Sequence, residues 1–175
     1  LLGENCKYNG GNNYNKIVCE LAKEHQMFPV CPEVLGGLST PRCPSEIVNG
    51  VVMNKEGINV DREFHSGAEK ALAIAKENQV DLAILQSRSP SCGVKEIYDG
   101  TFSGTKISGQ GIFARMLREE GIRTVDVEEN NFLPLLLSWK QITFEAGIVQ
   151  AGGYVCKKNH TEAGSSGSIK FKKYQ

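Results

Sequence analysis

Two of the six cysteines in this chain stand among residues that could do chemistry with them. In PVCPEVLGGLSTPR, Pro29 to Arg42, the soft donor Cys31 precedes the carboxylate Glu33 by two residues, so one loop could offer both a metal ligand and a proton-handling group. A buried free thiol beside a surface glutamate would use the same letters. In SRSPSCG, Ser87 to Gly93, the hydroxyls of Ser89 and Ser91 crowd Cys92 and could donate to a thiolate, a sulfide or a substrate. Serine and proline also simply build turns. A third segment, YDGTFSGT from Tyr98 to Thr105, could cradle an anion on its backbone amides or could be a structural turn. No Lys-Ser/Thr pair follows it at P-loop spacing and the chain holds no GxGxxG, so a nucleotide fold signature is missing.

The surrounding pattern says how such loops would be held. Ile17, Val18, Leu21 and Ala22 recur at helical spacing within Tyr14 to His25, which places Cys19 on an apolar helix face. Met27 to Val30 reads as a strand running into Cys31, and Gly50 to Met53 as another short one. Asp61 is the expected N-cap of a helix whose face is Phe64, Ala68, Leu72 and Ala75. Asp81 to Gln86, DLAILQ, is apolar without alternation, as a strand covered on both faces should be. A helix over Ile112 to Glu120 and a last strand over Ile122 to Val127 complete the alternation. The expected fold is therefore α/β, a three-layer Rossmann-like domain with a mostly parallel sheet, in which ligands settle beyond the carboxyl ends of the strands. Cys31 and Cys92 each follow an expected strand. The domain should span residues 1–128, with 129–175 a C-terminal extension containing an apolar stretch, Phe132 to Trp139, and a basic tail from Thr161.

Composition narrows the function classes. At 175 residues the chain can bury a core without disulfide staples. Twenty basic and twenty acidic side chains balance, which argues against a dedicated nucleic-acid binder and for a small-molecule partner. No apolar run approaches the roughly 20 residues that cross a bilayer. With no secretory leader expected, the compartment should be the reducing cytoplasm, where free cysteines serve metals, catalysis or packing. His25, His65 and His160 show no metal-site spacing, and Asp99 suits a turn. Arg42 and Lys95 could meet a substrate carbonyl or a phosphate, or form surface salt bridges.

LLGENCKYNGG, CPEVLGGLSTPR, SRSPSCG and YDGTFSGT, in this order and spacing over about Leu1 to Glu128, resemble the small bacterial family typified by thiouracil desulfidase. The resemblance implies a 4Fe-4S cluster held by three cysteines, with one iron open to the sulfur of a thiolated base or nucleoside such as 2-thiouracil. Carried onto this chain, Cys31 and Cys92 match two ligands, Glu33 matches a proton-moving carboxylate, and Ser89, or else Ser91, matches a polar helper. The third ligand is expected immediately before the LLG motif; either that position, ahead of Leu1, supplies it, or Cys6 does. Cys19 is then core filler, and Cys43 and Cys156 have no role. Two other classes fit the same residues: a non-catalytic nucleotide- or metal-binding Rossmann-like module, and a thiol redox protein, which lacks the CxxC pair it would need. Oligomeric state is not written in the pattern.

Overall fold

The continuous apolar run LAIL forms the strand around which the molecule is organised. The computed structural model describes residues 1–129, 148–151 and 154–157. In chain order the elements are α1 (Lys16–Glu24), β1 (Gln26–Met27), α2 (Pro32–Leu35), β2 (Ser45–Val48), β3 (Val51–Asn54), α3 (Asp61–Glu77), β4 (Leu82–Leu85), β5 (Glu96–Tyr98), β6 (Lys106–Ser108), α4 (Ile112–Glu119), β7 (Arg123–Asp126), β8 (Ile148–Ala151) and β9 (Tyr154–Lys157). All four residues of β4 are buried. Because successive strand side chains face opposite ways, Ala83 and Leu85 enter one apolar cluster with Phe64 and Ala68 of α3 and Phe113 of α4, while Leu82 and Ile84 enter another with Val18 and Ala22 of α1. The strand is thus covered on both faces, as its composition demands.

The fold is mixed α/β with small sheets, some of their strands parallel. The main sheet runs β1-β9-β8-β4-β7. Its centre is parallel, β4 pairing with both β7 and β8, but β9 runs antiparallel to β8 and to β1. The expected mostly parallel sheet is therefore met at β4 and not at the β1 edge. Arg123–Asp126 is not the last strand, since β8 and β9 follow it. Phe28 and Val30 are buried, yet β1 stops at Met27, two residues before Pro29, which has no amide to give a ladder. Two hairpins stand apart, β2-β3 and β5-β6. The first turns on Asn49 and Gly50, both with positive φ, the dipeptide that two-residue hairpins prefer. The apolar stretch 132–139, His160 and the tail from 161 lie outside the described residues.

Helix ends differ slightly from expectation. Asn15 caps α1 by accepting the Val18 amide. Asp61 is the first residue of α3 rather than its cap; its Oδ1 accepts the Val52 amide at 2.9 Å and so ties the helix to β3. Its Oδ2 meets His65, one turn on. Among the described residues no helix is long and apolar enough to cross a membrane.

The buried face of α3 is Phe64 with Gly67, Ala68, Ala71 and Ala75, and these last four are small enough to let another backbone come close. That backbone is α2. A Cβ placed on Gly67 would stand 1.8 Å from the Pro32 carbonyl oxygen, and one on Gly36, just after α2, would stand 2.0 Å from that of Glu63. Neither contact can be relieved by turning a side chain. Gly67→Ala must therefore push α2 off α3, and we expect a loss of roughly 2 kcal/mol or more, seen as a fall of about 4–8 °C in the thermal midpoint by circular dichroism. An unchanged midpoint would show that the two helices are not held at this distance.

Candidate functional site

Cys31 ends the extended segment after β1 and is the N-cap residue of α2, where Pro32 at the first helical position needs no amide partner. This puts Glu33 in the helix's first turn, favourable for a carboxylate. The Glu33 Oε2 atom takes a charged bond from Arg42 Nε at 2.7 Å, and the Arg42 side chain is only 8 % exposed. The same guanidinium donates through Nη2 to the Cys6 carbonyl at 2.9 Å and through Nη1 to Ser39 O and Thr40 Oγ1. Arg42 thus forms a largely buried ion pair rather than a surface salt bridge. It fastens the amino-terminal loop to the loop that carries Cys31.

The other Glu33 oxygen, Oε1, receives the hydroxyls of Ser89 at 3.3 Å and Ser91 at 3.4 Å. Ser89 Oγ in turn accepts the amides of Ser91 and Cys92, which holds the loop after β4 in a tight turn. Below that turn lies the N-terminus of α4, whose Phe113 and Ala114 amides donate to the Ser91 carbonyl at 2.9 and 3.2 Å. Gly111 makes this approach possible, since a Cβ there would lie 2.4 Å from the Ser91 carbonyl carbon.

Cys6, Cys31, Cys92, Glu33 and Ser89 consequently line one cavity of about 530 Å³. Gln86 and Ser87, directly after β4, and Glu128, just beyond β7, also line it, so it opens where the parallel strands end. Ser91 is 1 % exposed and reaches the site only through its bond to Glu33. The thiols are not equivalent. The Cys31 thiol's hydrogen bond lowers Cys6 to about 7, against the effect of burial and helped by the charge of Arg42. Cys31 is pushed up by that same bond and by burial, so it keeps the proton that the pair shares. Cys92 is raised by burial and by the nearby charge of Glu33. Among the described residues no three His, Cys, Asp or Glu side chains are grouped to hold a single metal ion.

The remaining candidates fall elsewhere. Cys19 is half-buried on α1 with its thiol toward the Leu1 carbonyl, Cys43 is half-buried beside β2, and Cys156 is the register partner of Met27 in the β1-β9 pair. Lys95 pairs with Glu129. The YDGTFSGT loop does cradle an anion, but the anion belongs to the protein: Glu46 Oε2 accepts the amides of Gly100 and Phe102, both at 3.0 Å. Asp99 is a turn residue, bonded to Thr101, and its pKa is lowered by those bonds. Among the cavity-lining residues that sequence reasoning gives no role are Glu46 and Arg88, and Ser87 counts there only as one of the loop's hydroxyls. Arg88 gives both guanidinium nitrogens to Glu128, and Ser87 Oγ makes a short bond to buried Asp126. A charged residue inside the EIVNGVVM hairpin pattern was the available signal for Glu46.

A family model described as 2-thiouracil desulfurase matches residues 1–129. The uncharacterized protein YbbK of Bacillus subtilis (strain 168) is 40% identical over 141 residues, spanning 75% of this chain and 93% of that protein. Among solved structures, the [4Fe-4S]-dependent thiouracil desulfidase TudS superposes with a TM-score of 0.71 at 34% identity, covering 81% of this chain and 94% of that one. With a family model matched across most of its length and the thiol loops of that region gathered at one cavity, the chain belongs to the 2-thiouracil desulfurase family.

Proposed function

We propose that the protein is a 4Fe-4S-dependent desulfidase that exchanges the thiocarbonyl sulfur of a small thiolated pyrimidine base or nucleoside, such as 2-thiouracil, for a water oxygen. The observation that carries this reading is the convergence of Cys6, Cys31, Cys92 and Glu33 on one cavity. Sulfur donors on separate loops suit a cluster, which spreads its thiolates over different irons, better than one ion. Cys31 and Cys92 would be ligands, and Cys6 stands within reach as a third. When bound, the cluster supplies a thiophilic Lewis-acid iron.

The chain's own residues have the proton work. The exchange breaks a C–S bond and forms a C–O bond without net redox, so protons must pass from water to the departing sulfide. Glu33 is the carboxylate placed for this: Arg42 fixes Oε2, while Oε1 faces two hydroxyls that can relay a proton. Ser89, which lines the cavity, is the nearer helper, and Ser91 steadies Glu33 from behind. The apolar clusters on the two faces of β4 support a three-layer Rossmann-like arrangement in which residues 1–128 carry the site residues, while β8 and β9 complete the sheet. Free thiols at the site suit a cytoplasmic setting.

Anaerobically purified protein is expected to carry iron and acid-labile sulfide and to release sulfide from 2-thiouracil; zinc in place of iron would favour a non-catalytic metal-binding module. Glu33→Gln should lower kcat by roughly 10²–10⁴-fold with iron content retained, and full activity would remove Glu33 from the mechanism. In iron-free protein, Cys6 is protonated and slow to alkylate below its pKa of about 7 and reacts increasingly with iodoacetamide as pH rises through that value. Cys31→Ala, which deletes the hydrogen bond, should move that midpoint up toward about 8.5; a midpoint that stays put would break the pairing of the two thiols.

A further inference from the structure

Four non-glycine residues among those described have left-handed backbones. Asn49 sits in a two-residue hairpin turn and Gln79 just past the end of α3, positions where this conformation is routine. Arg88 (φ 62°) and Phe102 (φ 57°) are different, because both line the cavity. A bulky aromatic residue gains nothing from a positive φ and persists in it only when its surroundings over-determine the conformation. For Phe102 the determinant is Glu46. That carboxylate is 8 % exposed, and its Oε2 holds the amides on either side of Thr101, fixing Phe102 and Gly100 together. Gly100 is itself required, since a Cβ there would lie 2.6 Å from the Ile47 carbonyl oxygen. The loop is pinned at its base as well, where Tyr98, another lining residue, pairs with Lys106 of β6.

Nothing in the fold's core asks for this expense: Phe102 is half-buried and belongs to neither apolar cluster. We propose that Phe102 is the aromatic wall on which the planar pyrimidine ring stacks, and that Glu46 is the positioning residue that holds it there. The inference rests on the reading of the cavity as a pyrimidine site and adds a specificity residue to it. Stacking on an aromatic side chain tolerates differences at the ring's edge, because every base has a π face, so this wall would admit both thiolated substrate and oxo product while the thiol-lined side discriminates between them.

The test is equilibrium binding of 2-thiouracil and of uracil to the purified protein by calorimetry, with turnover measured alongside. Phe102→Ala keeps a Cβ, and so the same backbone preference, but removes the ring. It should weaken both Kd values, and raise KM, by roughly tenfold while kcat, iron content and thermal midpoint stay near the parental values. Phe102→Tyr should bind like the parent. Glu46→Gln, which keeps an acceptor oxygen for the two amides, should also bind nearly normally, and Glu46→Ala should reproduce the Phe102→Ala loss. Unchanged Kd values in Phe102→Ala, or kcat and iron falling with KM unmoved, would overturn the proposal. Parental protein that binds 2-thiouracil but releases no sulfide would refute the desulfidase function alone, leaving the aromatic wall to be judged on the binding data.

Discussion

One carboxylate ties the site together. Glu33 reaches Arg42 with one oxygen and the Ser89 and Ser91 hydroxyls with the other, and through these partners it connects to the Cys6 carbonyl and the Cys92 amide. Three loops from distant parts of the chain, each bearing one thiol, are thereby held around a single group. Loops of this kind have no ladder or helix to satisfy their polar backbone, so a shared buried partner is what gives them one conformation rather than many. Removing one member of such a pair strands the other: Arg42, almost wholly buried, would keep its charge with no counter-ion. The group proposed for proton transfer is therefore also structural, and glutamine, which loses the charge but keeps an acceptor oxygen within the network, is a more informative change than truncation.

The tie works because its two anchor points are rigid. On one side α2 lies against α3 at a distance that only Gly36 and Gly67 permit, so the short helix bearing Cys31 and Glu33 rests on a long one. On the other the Ser89–Cys92 turn rests on the N-terminus of α4, again through a glycine. Glycine inside a helix costs about 0.5–1 kcal/mol relative to alanine, and at Gly67 that cost is offset by contact between backbones. Beneath both lies β4, whose alternating side chains feed the two cores.

Much of this was legible before any coordinates. The central strand, the three helices α1, α3 and α4 and the thiol-bearing loops announce themselves through local spacing, because periodicity is a property of neighbouring residues. What local spacing cannot show is a partner far along the chain. Arg42 and Cys6 are 36 residues apart, and Glu33 and Ser91 are 58 apart; only the fold makes them adjacent. YDGTFSGT could be read as an anion cradle or as a structural turn; its amides do hold an anion, but that anion is Glu46, from a hairpin more than fifty residues earlier, and it serves the turn. Gly67 was hidden for another reason: inside a helical pattern a glycine looks like a weakness until the opposing helix is in place. The antiparallel edge of the sheet depends on β8 and β9, which follow a segment where the alternation of elements had stopped.

A common electrostatic rule runs through the cavity. Three carboxylates line it, Glu33, Glu46 and Glu128, and each is compensated: the first by Arg42, the second by the Gly100 and Phe102 amides, the third by Arg88. A chamber that must also hold thiolates could not leave these charges bare, since uncompensated negative charge raises thiol pKa values and suppresses the ionised form that binds metal. Cys92 already shows the tendency, being raised by burial and by Glu33 even with Arg42 present. At Cys6 the Cys31 hydrogen bond and the charge of Arg42 act in the opposite direction and lower the thiol. At this cavity each carboxylate is thus met by its own partner, a guanidinium for Glu33 and Glu128 and two backbone amides for Glu46.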